Sequence, residues 1–196
     1  KKLMSFLLMI IFICPIVQSN IVRAEDSSNI LVAYFSCTGI TERIAEHISR
    51  ILGADTYKIE AAQPYTDEDL NYGDSSTRAT QEQRDPTARP EISGSIPNID
   101  KYDAIFIGYP IWWGQAPKII YTFFESYDFS SKKIIPFCTS GSSGIGSSAA
   151  NLHNLTNGAE WLEGRRFSGI TSELEIKAWT DTIELPEPAE KPNTEI

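Results

Sequence analysis

NILVAYFSCTGITERIAEHISRIL, residues 29–52, combines an apolar run, a short polar loop and an amphipathic segment. The apolar run over 29–36 is rich in residues that favour β-structure, which predicts a buried strand. The segment 41–52 predicts a helix whose apolar face carries Ile40, Ile44, Ile48 and Ile51. Gly53 follows, and glycine commonly ends helices. A strand that leads directly into a helix is typical of the opening unit of a parallel α/β domain.

The rest of the chain repeats this alternation of apolar runs and amphipathic segments. Four further runs predict strands over 54–60, 102–109, 133–138 and 161–167. Three further segments predict helices over 116–127, 145–155 and 172–183. Because strict alternation needs crossovers between parallel strands, we expect one doubly wound α/β domain with a five-stranded parallel sheet and helices on both faces.

One long polar connection, residues 61–96, interrupts the alternation. Thr77–Arg84 predicts one helix within it, and the remainder is expected to be loop. Connections of this length inside a compact domain usually cover a functional site or are disordered. The connection carries three arginines that either bind an anion or are solvated charges, and the second alternative is favoured. They are Arg78, Arg84 and Arg89.

The first 24 residues have the pattern of a secretory signal peptide. Two lysines precede an apolar run over 3–17, and Val22-Arg23-Ala24 offers a small residue at the cleavage position. A membrane anchor is the alternative, but the run is shorter than the ~20 residues that a span needs, and Pro15 ends it. Lipid attachment at Cys14 is disfavoured by the bulky Ile13. The sequence predicts an exported protein, periplasmic, extracellular or on the cell surface, with no stable membrane span after cleavage.

Cleavage would leave a domain over 25–185 and a flexible, proline-rich acidic tail over 186–196. The formal net charge of −9 would become −12, since residues 1–24 carry three positive charges and no negative ones. A nucleic-acid partner is excluded, because phosphate contacts need clustered Lys and Arg. Cys37 and Cys138 either pair or stay free, and free, partly buried thiols are favoured.

The loop between the first strand and the first helix is crowded with hydrogen-bonding groups but has no Lys or Arg. Amides at the amino end of a helix have no partners inside it, and the helix dipole is positive there. With three hydroxyls beside them, these amides predict a neutral phosphate site, and helix capping by one threonine is the alternative. A nucleotide-triphosphate loop is excluded, because its Lys and spacing are absent. The predicted site consists of Ser36, Cys37, Thr38, Gly39, Ile40 and Thr41.

Two adjacent tryptophans follow the central strand, in YPIWWGQAP at 109–117. Because the segment follows a parallel strand, it lies at the same rim of the sheet as the first loop. Ligands of open parallel sheets bind at this rim, beyond the carboxyl ends of the strands. Adjacent residues of an extended segment point to opposite sides, so either Trp112 or Trp113 can pack onto the core but not both. The other ring is available to a flat aromatic ligand, and Gly114 lets the backbone approach it.

A third rim segment, CTSGSSGIG at 138–146, offers backbone amides and little side-chain bulk. Alone it is typical of a flexible linker. Its position between a strand and a helix favours contact with the edge of a planar ligand. The spacings of a nucleophile elbow and of a dinucleotide fingerprint are both absent. His47 and His153 lie in predicted helices, so no side chain is predicted to act as acid, base or nucleophile.

Together and in this order, the three loops resemble those of the flavodoxin family, most closely the small bacterial flavodoxin-like proteins with a double-Trp loop. The resemblance spans about residues 29–185 and implies a sheet of order 2-1-3-4-5 and bound flavin mononucleotide (FMN). It places the FMN phosphate on residues 36–41 and the isoalloxazine ring between the second and third loops. The cofactor-binding residues that it implies there are Pro110, Ile111, Trp112, Trp113, Gly114, Thr139, Ser140, Gly141 and Gly144.

The resemblance implies a protein that passes electrons between redox partner proteins. An FMN-dependent NAD(P)H:quinone-type oxidoreductase, acting on small quinone-like acceptors, is the alternative. In both cases the flavin would carry the chemistry. Two features depart from the family: most members are cytoplasmic, and the 61–96 connection replaces a short aromatic loop that often covers the flavin. Tyr65 or Tyr72 is the substitute that this connection offers.

Overall fold

The computed structural model describes residues 29–186, and the predicted signal peptide and the predicted tail beyond Pro186 lie outside the described residues. None of the helices described is both long and apolar enough to span a bilayer. The strands are β1 (Ile30–Tyr34), β2 (Asp55–Lys58), β3 (Glu60–Ala61), β4 (Ile92–Ser93), β5 (Ala104–Pro110), β6 (Lys133–Thr139), β7 (Glu160–Trp161) and β8 (Arg165–Phe167). The helices are α1 (Ile40–Leu52), α2 (Arg78–Arg84), α3 (Lys118–Glu125), α4 (Ser147–Ala150) and α5 (Glu173–Thr180), with 3-10 turns at Ile99–Lys101 and His153–Leu155.

The main sheet is parallel and has the order β2-β1-β5-β6, with β7 and β8 one after the other along the outer edge of β6. This confirms the predicted order 2-1-3-4-5, and two short strands share the fifth position. β1 lies inside the sheet because every residue of its apolar run is buried. The register pairs Tyr34 with Gly108 and Pro110 with Thr139, so β1, β5 and β6 end at one rim.

Helices cover both faces of the sheet, as predicted. Successive strand residues face opposite sides. Leu31 therefore joins the hydrophobic cluster that contains the residues of α3, whereas Val32 joins the cluster of α1 and α5. Ile44 and Ile48 of α1 are fully buried in that second cluster. The two cores hold the sheet between them and fix the rim on which the loops sit.

The predicted continuous strand 161–167 is interrupted by a bulge between β7 and β8. Ile134 of β6 pairs with Trp161, but Phe137 pairs with Arg165, so three residues oppose two at this point. Pro136 lies in the gap and has no N–H to continue the ladder. A β-carbon at Gly164 would lie 2.6 Å from the Pro136 carbonyl oxygen, so only glycine allows this close approach.

The predicted helix 145–155 is also wrong in extent, because only α4 and the 3-10 turn at His153–Leu155 are helical there. Gly146, immediately before α4, has φ 48° and ψ −136°, outside helical geometry. The Ser148 hydroxyl donates to the Ile145 carbonyl oxygen at 2.5 Å. Ser and Asn side chains compete with helical backbone hydrogen bonds in this way, and a segment that contains several of them forms short helical turns.

The two ends of the 61–96 connection lie side by side. β3 pairs antiparallel with β4, which brings the two ends of the connection together. Helix α2 confirms the helix predicted at 77–84. Tyr65, from the first part of the connection, packs edge-on against Trp112, with ring centroids 5.3 Å apart. The connection is therefore anchored to the core beside the double-Trp loop.

Two arginines of the connection have structural partners. The Arg78 guanidinium lies 4.1 Å from the centre of the Tyr65 ring and pairs with Glu82 at 2.7 Å. Arg89 pairs with Glu125 of α3, also at 2.7 Å. Arg84 is exposed and only reaches the Ser75 carbonyl oxygen at 3.5 Å. These contacts account for Arg78 and Arg89 without a bound anion, and Arg84 is a solvated charge.

Candidate functional site

Three loops that follow β1, β5 and β6 lie together at the carboxyl rim of the sheet. Hydrogen bonds across the rim fix their relative positions: the Phe35 N–H donates to the Gly108 carbonyl, and the Ile111 N–H donates to the Thr139 carbonyl. The structure therefore brings the three predicted segments, 36–41, 110–114 and 139–144, to one surface. Whether these residues hold a cofactor stays a prediction.

The first loop leaves the amino end of α1 uncapped. Gly39 is the N-cap residue, with φ 81° and ψ −9°, a left-handed conformation that favours glycine. Its N–H donates to the Ser36 hydroxyl oxygen at 3.1 Å, and within residues 29–186 no side chain caps the helix there. The alternative of helix capping by Thr38 or Thr41 is therefore wrong. The first-turn amides and the positive end of the helix dipole remain available to an anion.

Two side chains of this loop differ from expectation. The Thr41 hydroxyl lies 2.7 Å from the Thr139 hydroxyl, and both side chains are buried. This pair ties the start of α1 to the end of β6, so the Thr41 hydroxyl is in the interior rather than on the open face. Ile40 is 42% exposed, whereas Ile44 and Ile48 of the same apolar face are buried. A β-carbon added at Gly169 would lie 3.8 Å from the Ile40 Cδ1.

Both cysteines are free, as predicted. Cys138 is buried, and burial raises the pKa of its thiol to about 12. Cys37 is exposed rather than partly buried, yet the surrounding protein raises the pKa of its thiol to about 11. Both thiols are therefore protonated at neutral pH, which argues against a thiolate nucleophile at this rim.

The two tryptophans of the second loop point to opposite sides, as predicted. Trp112 is buried and packs edge-on against Phe35 at 5.6 Å, whereas Trp113 is 41% exposed. Trp113 and Gly114 have φ values of 47° and 75°, the pattern of a type I′ turn. A bulky residue with positive φ is uncommon, and such strain clusters at functional sites. The turn presents the Trp113 ring on the rim.

Tyr72 from the 61–96 connection lies against that exposed ring. The centroids of the Tyr72 and Trp113 rings are 4.3 Å apart, and the ring planes meet at 30°. Both side chains are exposed, at 55% and 41%. Of the two tyrosines that the sequence offered, Tyr65 is committed to the core and Tyr72 is on the rim.

Two glutamines that sequence reasoning missed fasten the second loop. Gln83 of α2 donates from Nε2 to the carbonyl oxygens of Trp112 and Ala116, at 3.0 and 3.3 Å. Gln115 donates to the Ser147 hydroxyl of α4 at 3.2 Å, and its Oε1 accepts from Asn151 at 2.6 Å. Glutamine is common on surfaces, so the sequence carries no signal that distinguishes these two.

The third loop is held by its own serine and by an arginine from β8. The Ser140 hydroxyl donates to the Ser143 carbonyl oxygen. Arg166 donates from Nη2 to the carbonyl oxygens of Ser140 and Gly141, at 2.7 and 2.5 Å, and from Nε to the Ser140 hydroxyl at 3.1 Å. Sequence reasoning missed Arg166. The only signal for it is a charged pair, Arg165-Arg166, in a predicted strand.

The rim as a whole combines a neutral cradle for an anion, an exposed aromatic surface and a loop of small residues held by Arg166. Within the described part of the chain, no group of three or more His, Cys, Asp or Glu side chains could hold a metal ion. The arrangement suits a ligand that carries both a phosphate and a flat ring. It supplies hydrogen bonds and stacking.

A comparison with protein families agrees with this geometry. A family model described as Flavodoxin matches residues 29–183. No curated protein matches the chain.

Solved structures give the same result. The chain is similar to a candidate flavoprotein from Bacteroides eggerthii, with 46% sequence identity and a TM-score of 0.75, over 80% of this chain and 98% of that one. A candidate flavoprotein from Bacteroides uniformis is 40% identical, with a TM-score of 0.75, over 79% and 99% of the two chains. A Lactobacillus acidophilus flavoprotein in complex with FMN shares the fold, with 23% identity and a TM-score of 0.58, over 77% and 97%.

Proposed function

The chain belongs to the flavodoxin family, and from that membership and the geometry of the rim we propose that it binds FMN and passes electrons between redox partners. The proposal of FMN draws on the Lactobacillus acidophilus relative that was solved with it. The electron-carrier role draws on the chemistry of the rim.

The observation that carries the proposal is the uncapped amino end of α1. Gly39 gives the loop a left-handed turn, and a β-carbon there would meet no atom within 4 Å, so the space in front of the helix is open. Backbone amides of Thr38, Ile40 and Thr41 would hold the phosphate without a cation, since the Gly39 amide donates to the Ser36 hydroxyl. A phosphate is the group of FMN that such a cradle fits.

Trp113 and the 139–144 loop would hold the flat ring. Trp113 offers an exposed aromatic face, and Tyr72 is the aromatic neighbour beside it. When bound, FMN supplies one-electron and two-electron redox chemistry. The residues of this chain then bind the phosphate, orient the ring and determine its electrostatic surroundings.

Two observations favour an electron carrier over an FMN-dependent NAD(P)H:quinone-type oxidoreductase. The candidate nucleophile at the rim is the Cys37 thiol, and its raised pKa keeps it protonated at neutral pH. Two of the three arginines that an anionic substrate could use are already engaged, because Arg78 pairs with Glu82 and Arg89 with Glu125, and only the exposed Arg84 has no acidic partner among the described residues. The acidic chain, with formal net charge −9, would also steer basic partner proteins to the rim.

The proposed place of action is outside the cytoplasm, on the basis of the signal-peptide pattern over residues 1–24. The proposed partners are redox proteins with a basic surface, and small quinone-like acceptors are the partners of the oxidoreductase alternative. Identification of the mature amino terminus by mass spectrometry of the secreted or periplasmic fraction would test the export proposal. An intact leader in that protein would contradict it.

The direct test is to titrate the purified, flavin-free protein with FMN and, in parallel, with riboflavin. We expect one FMN per chain and much weaker binding of riboflavin, which lacks the phosphate. Equal affinity for the two would contradict the phosphate cradle. The FMN-loaded protein is then mixed with NADH or NADPH and a quinone. Rapid turnover without a partner protein would favour the oxidoreductase alternative.

A further inference from the structure

Arg166 and its neighbour Arg165 are adjacent residues of β8, and their side chains lie on opposite sides of the strand. In the register of the sheet Arg166 pairs with Cys138, which lies in the core cluster that contains the residues of α3. Arg165 is exposed on the other side of the strand, and its guanidinium lies 5.5 Å from the centre of the Phe167 ring. Only Arg166 reaches back over the carboxyl end of β6.

The side chain of Arg166 holds the start of the third rim loop. Its Nη2 donates to the Ser140 and Gly141 carbonyl oxygens, and its Nε donates to the Ser140 hydroxyl. The Ser140 N–H in turn donates to the Phe167 carbonyl oxygen at 3.3 Å. The loop is otherwise a run of Gly and Ser, a composition that has little intrinsic rigidity. These contacts fix its backbone against β8.

The charge of Arg166 is not neutralised by a carboxylate. Among the ion pairs of residues 29–186, Arg50, Arg78 and Arg89 each have an acidic partner, but Arg166 has none. Its partners are neutral oxygens. The side chain is also half-buried, so solvent and salt screen its charge less than that of an exposed arginine.

We propose that Arg166 is a positioning residue of the flavin site. Its side chain fixes the 139–144 loop against the ring, and its unpaired charge favours binding of the reduced flavin. The inference rests on the proposed function, in which that loop faces the isoalloxazine ring. Reduction adds negative charge to the ring, and a nearby positive charge without a counterion stabilises that charge. The third loop thus has a cation behind it, held by carbonyl oxygens.

The test compares R166M and R166K with the wild type, and R165M is the matched control. R166M and R165M remove the same charge from adjacent positions of one strand. The dissociation constant for oxidised FMN is measured by titration, and the two-electron midpoint potential then gives the constant for reduced FMN. In R166M we expect oxidised FMN to bind about threefold more weakly. The ratio of the reduced to the oxidised dissociation constant should rise about tenfold, which lowers the midpoint potential by about 30 mV.

R166K retains the charge but loses the forked contact with the two carbonyls. We expect weaker binding of both flavin states with a ratio within about twofold of the wild type. R165M should leave both constants within about twofold. An unchanged ratio in R166M, or an equal change in R165M, would overturn the charge role.

A second measurement does not depend on FMN. Amide hydrogen exchange of residues 140–144 in the flavin-free protein should be at least tenfold faster in R166M than in R165M or the wild type. Equal rates in the two variants would overturn the positioning role. If the wild type binds no FMN, the proposed function fails and the charge role with it, whereas the exchange rates still decide whether Arg166 fixes the loop.

Discussion

The buried hydroxyl pair of Thr41 and Thr139 allows a structural link to be separated from a ligand contact. The two oxygens are 2.7 Å apart, and the side chains are only 1% and 4% exposed. Valine has the shape of threonine without the hydroxyl, so T41V leaves the Thr139 hydroxyl buried without that partner. An unpaired buried polar group costs about 1–3 kcal/mol, so we expect each single substitution to lower the free energy of unfolding by about 1.5 kcal/mol.

The double variant T41V/T139V removes both hydroxyls and leaves an apolar contact of the same shape. Such a replacement is nearly neutral, so we expect a loss of about 0.5 kcal/mol rather than the roughly 3 kcal/mol that additivity gives. The resulting coupling energy of about 2.5 kcal/mol is within the range for residues in direct contact. Equilibrium urea unfolding of the four proteins, followed by tryptophan fluorescence, measures it. Additive losses would refute the pairing.

FMN titration of the same T41V protein tests the role of this hydroxyl. The structure keeps the hydroxyl inside and leaves the Thr41 amide at the helix end, so the dissociation constant for FMN should change less than about threefold. A loss of more than about tenfold in affinity, with unchanged stability, would show that the hydroxyl contacts the phosphate and that the interior hydrogen bond is wrong. Loss of both would show that the pair positions the helix end.

Three further predictions concern the rim. G39D and G39N place side chains of similar size at a positive φ that both tolerate, but only Asp adds negative charge. FMN titration should show at least about tenfold weaker binding to G39D than to G39N. Equal affinities of the two variants for riboflavin would locate the effect at the phosphate. W113A should weaken FMN binding about tenfold with little change in stability to urea. W112A removes a buried ring and should lower the free energy of unfolding by about 3–5 kcal/mol. The reverse pattern would show that the two rings have the opposite roles. Because the pKa of Cys37 is raised to about 11, the alkylation rate of its thiol should rise about tenfold per pH unit between pH 8 and 10. C37S is the control, and a plateau of the rate below pH 9 would contradict the raised pKa.

The order of the sheet could be predicted because strand and helix signals are local. Each apolar run is followed by its own amphipathic helix, and parallel crossovers then leave few arrangements. One error occurs where a contact between distant residues overrides the local pattern. Gly164 lies against Pro136 at the outer edge of β6 and the fifth strand is interrupted there, although neither residue alone shows where the other lies. The helix at α4, whose apolar spacing is correct, is short for a local reason, because Gly146 leaves helical geometry and the Ser148 hydroxyl bonds the Ile145 carbonyl.

The loops of the candidate site were visible in the sequence because clustered hydroxyls, two adjacent tryptophans and a Gly/Ser run each follow a predicted strand. The residues that fasten them were not. Arg166 lies 26 positions from Ser140, and Gln83 lies 29 positions from Trp112. Single arginines and glutamines on a surface carry no pattern, so only the folded chain shows which of them face a loop. Tyr65 and Tyr72 were two candidates for the aromatic side chain that the 61–96 connection places at the rim. The structure distinguishes them, because Tyr72 lies against Trp113 and Tyr65 against Trp112.

The fastening of the rim bears on how tightly it can hold a ligand. Loops of Gly and Ser lose conformational entropy when a ligand orders them, and that loss weakens binding. Here each loop is already tied to the framework: α1 through Thr41 and Thr139, the tryptophan turn through Gln83, and the third loop through Arg166. The entropy is therefore lost on folding rather than on binding. It follows that releasing the tie at Gln83 or at Arg166 should weaken the binding of FMN even though neither side chain needs to touch it. Release of the Thr41–Thr139 tie should have a smaller effect, because α1 has a regular helical backbone without it.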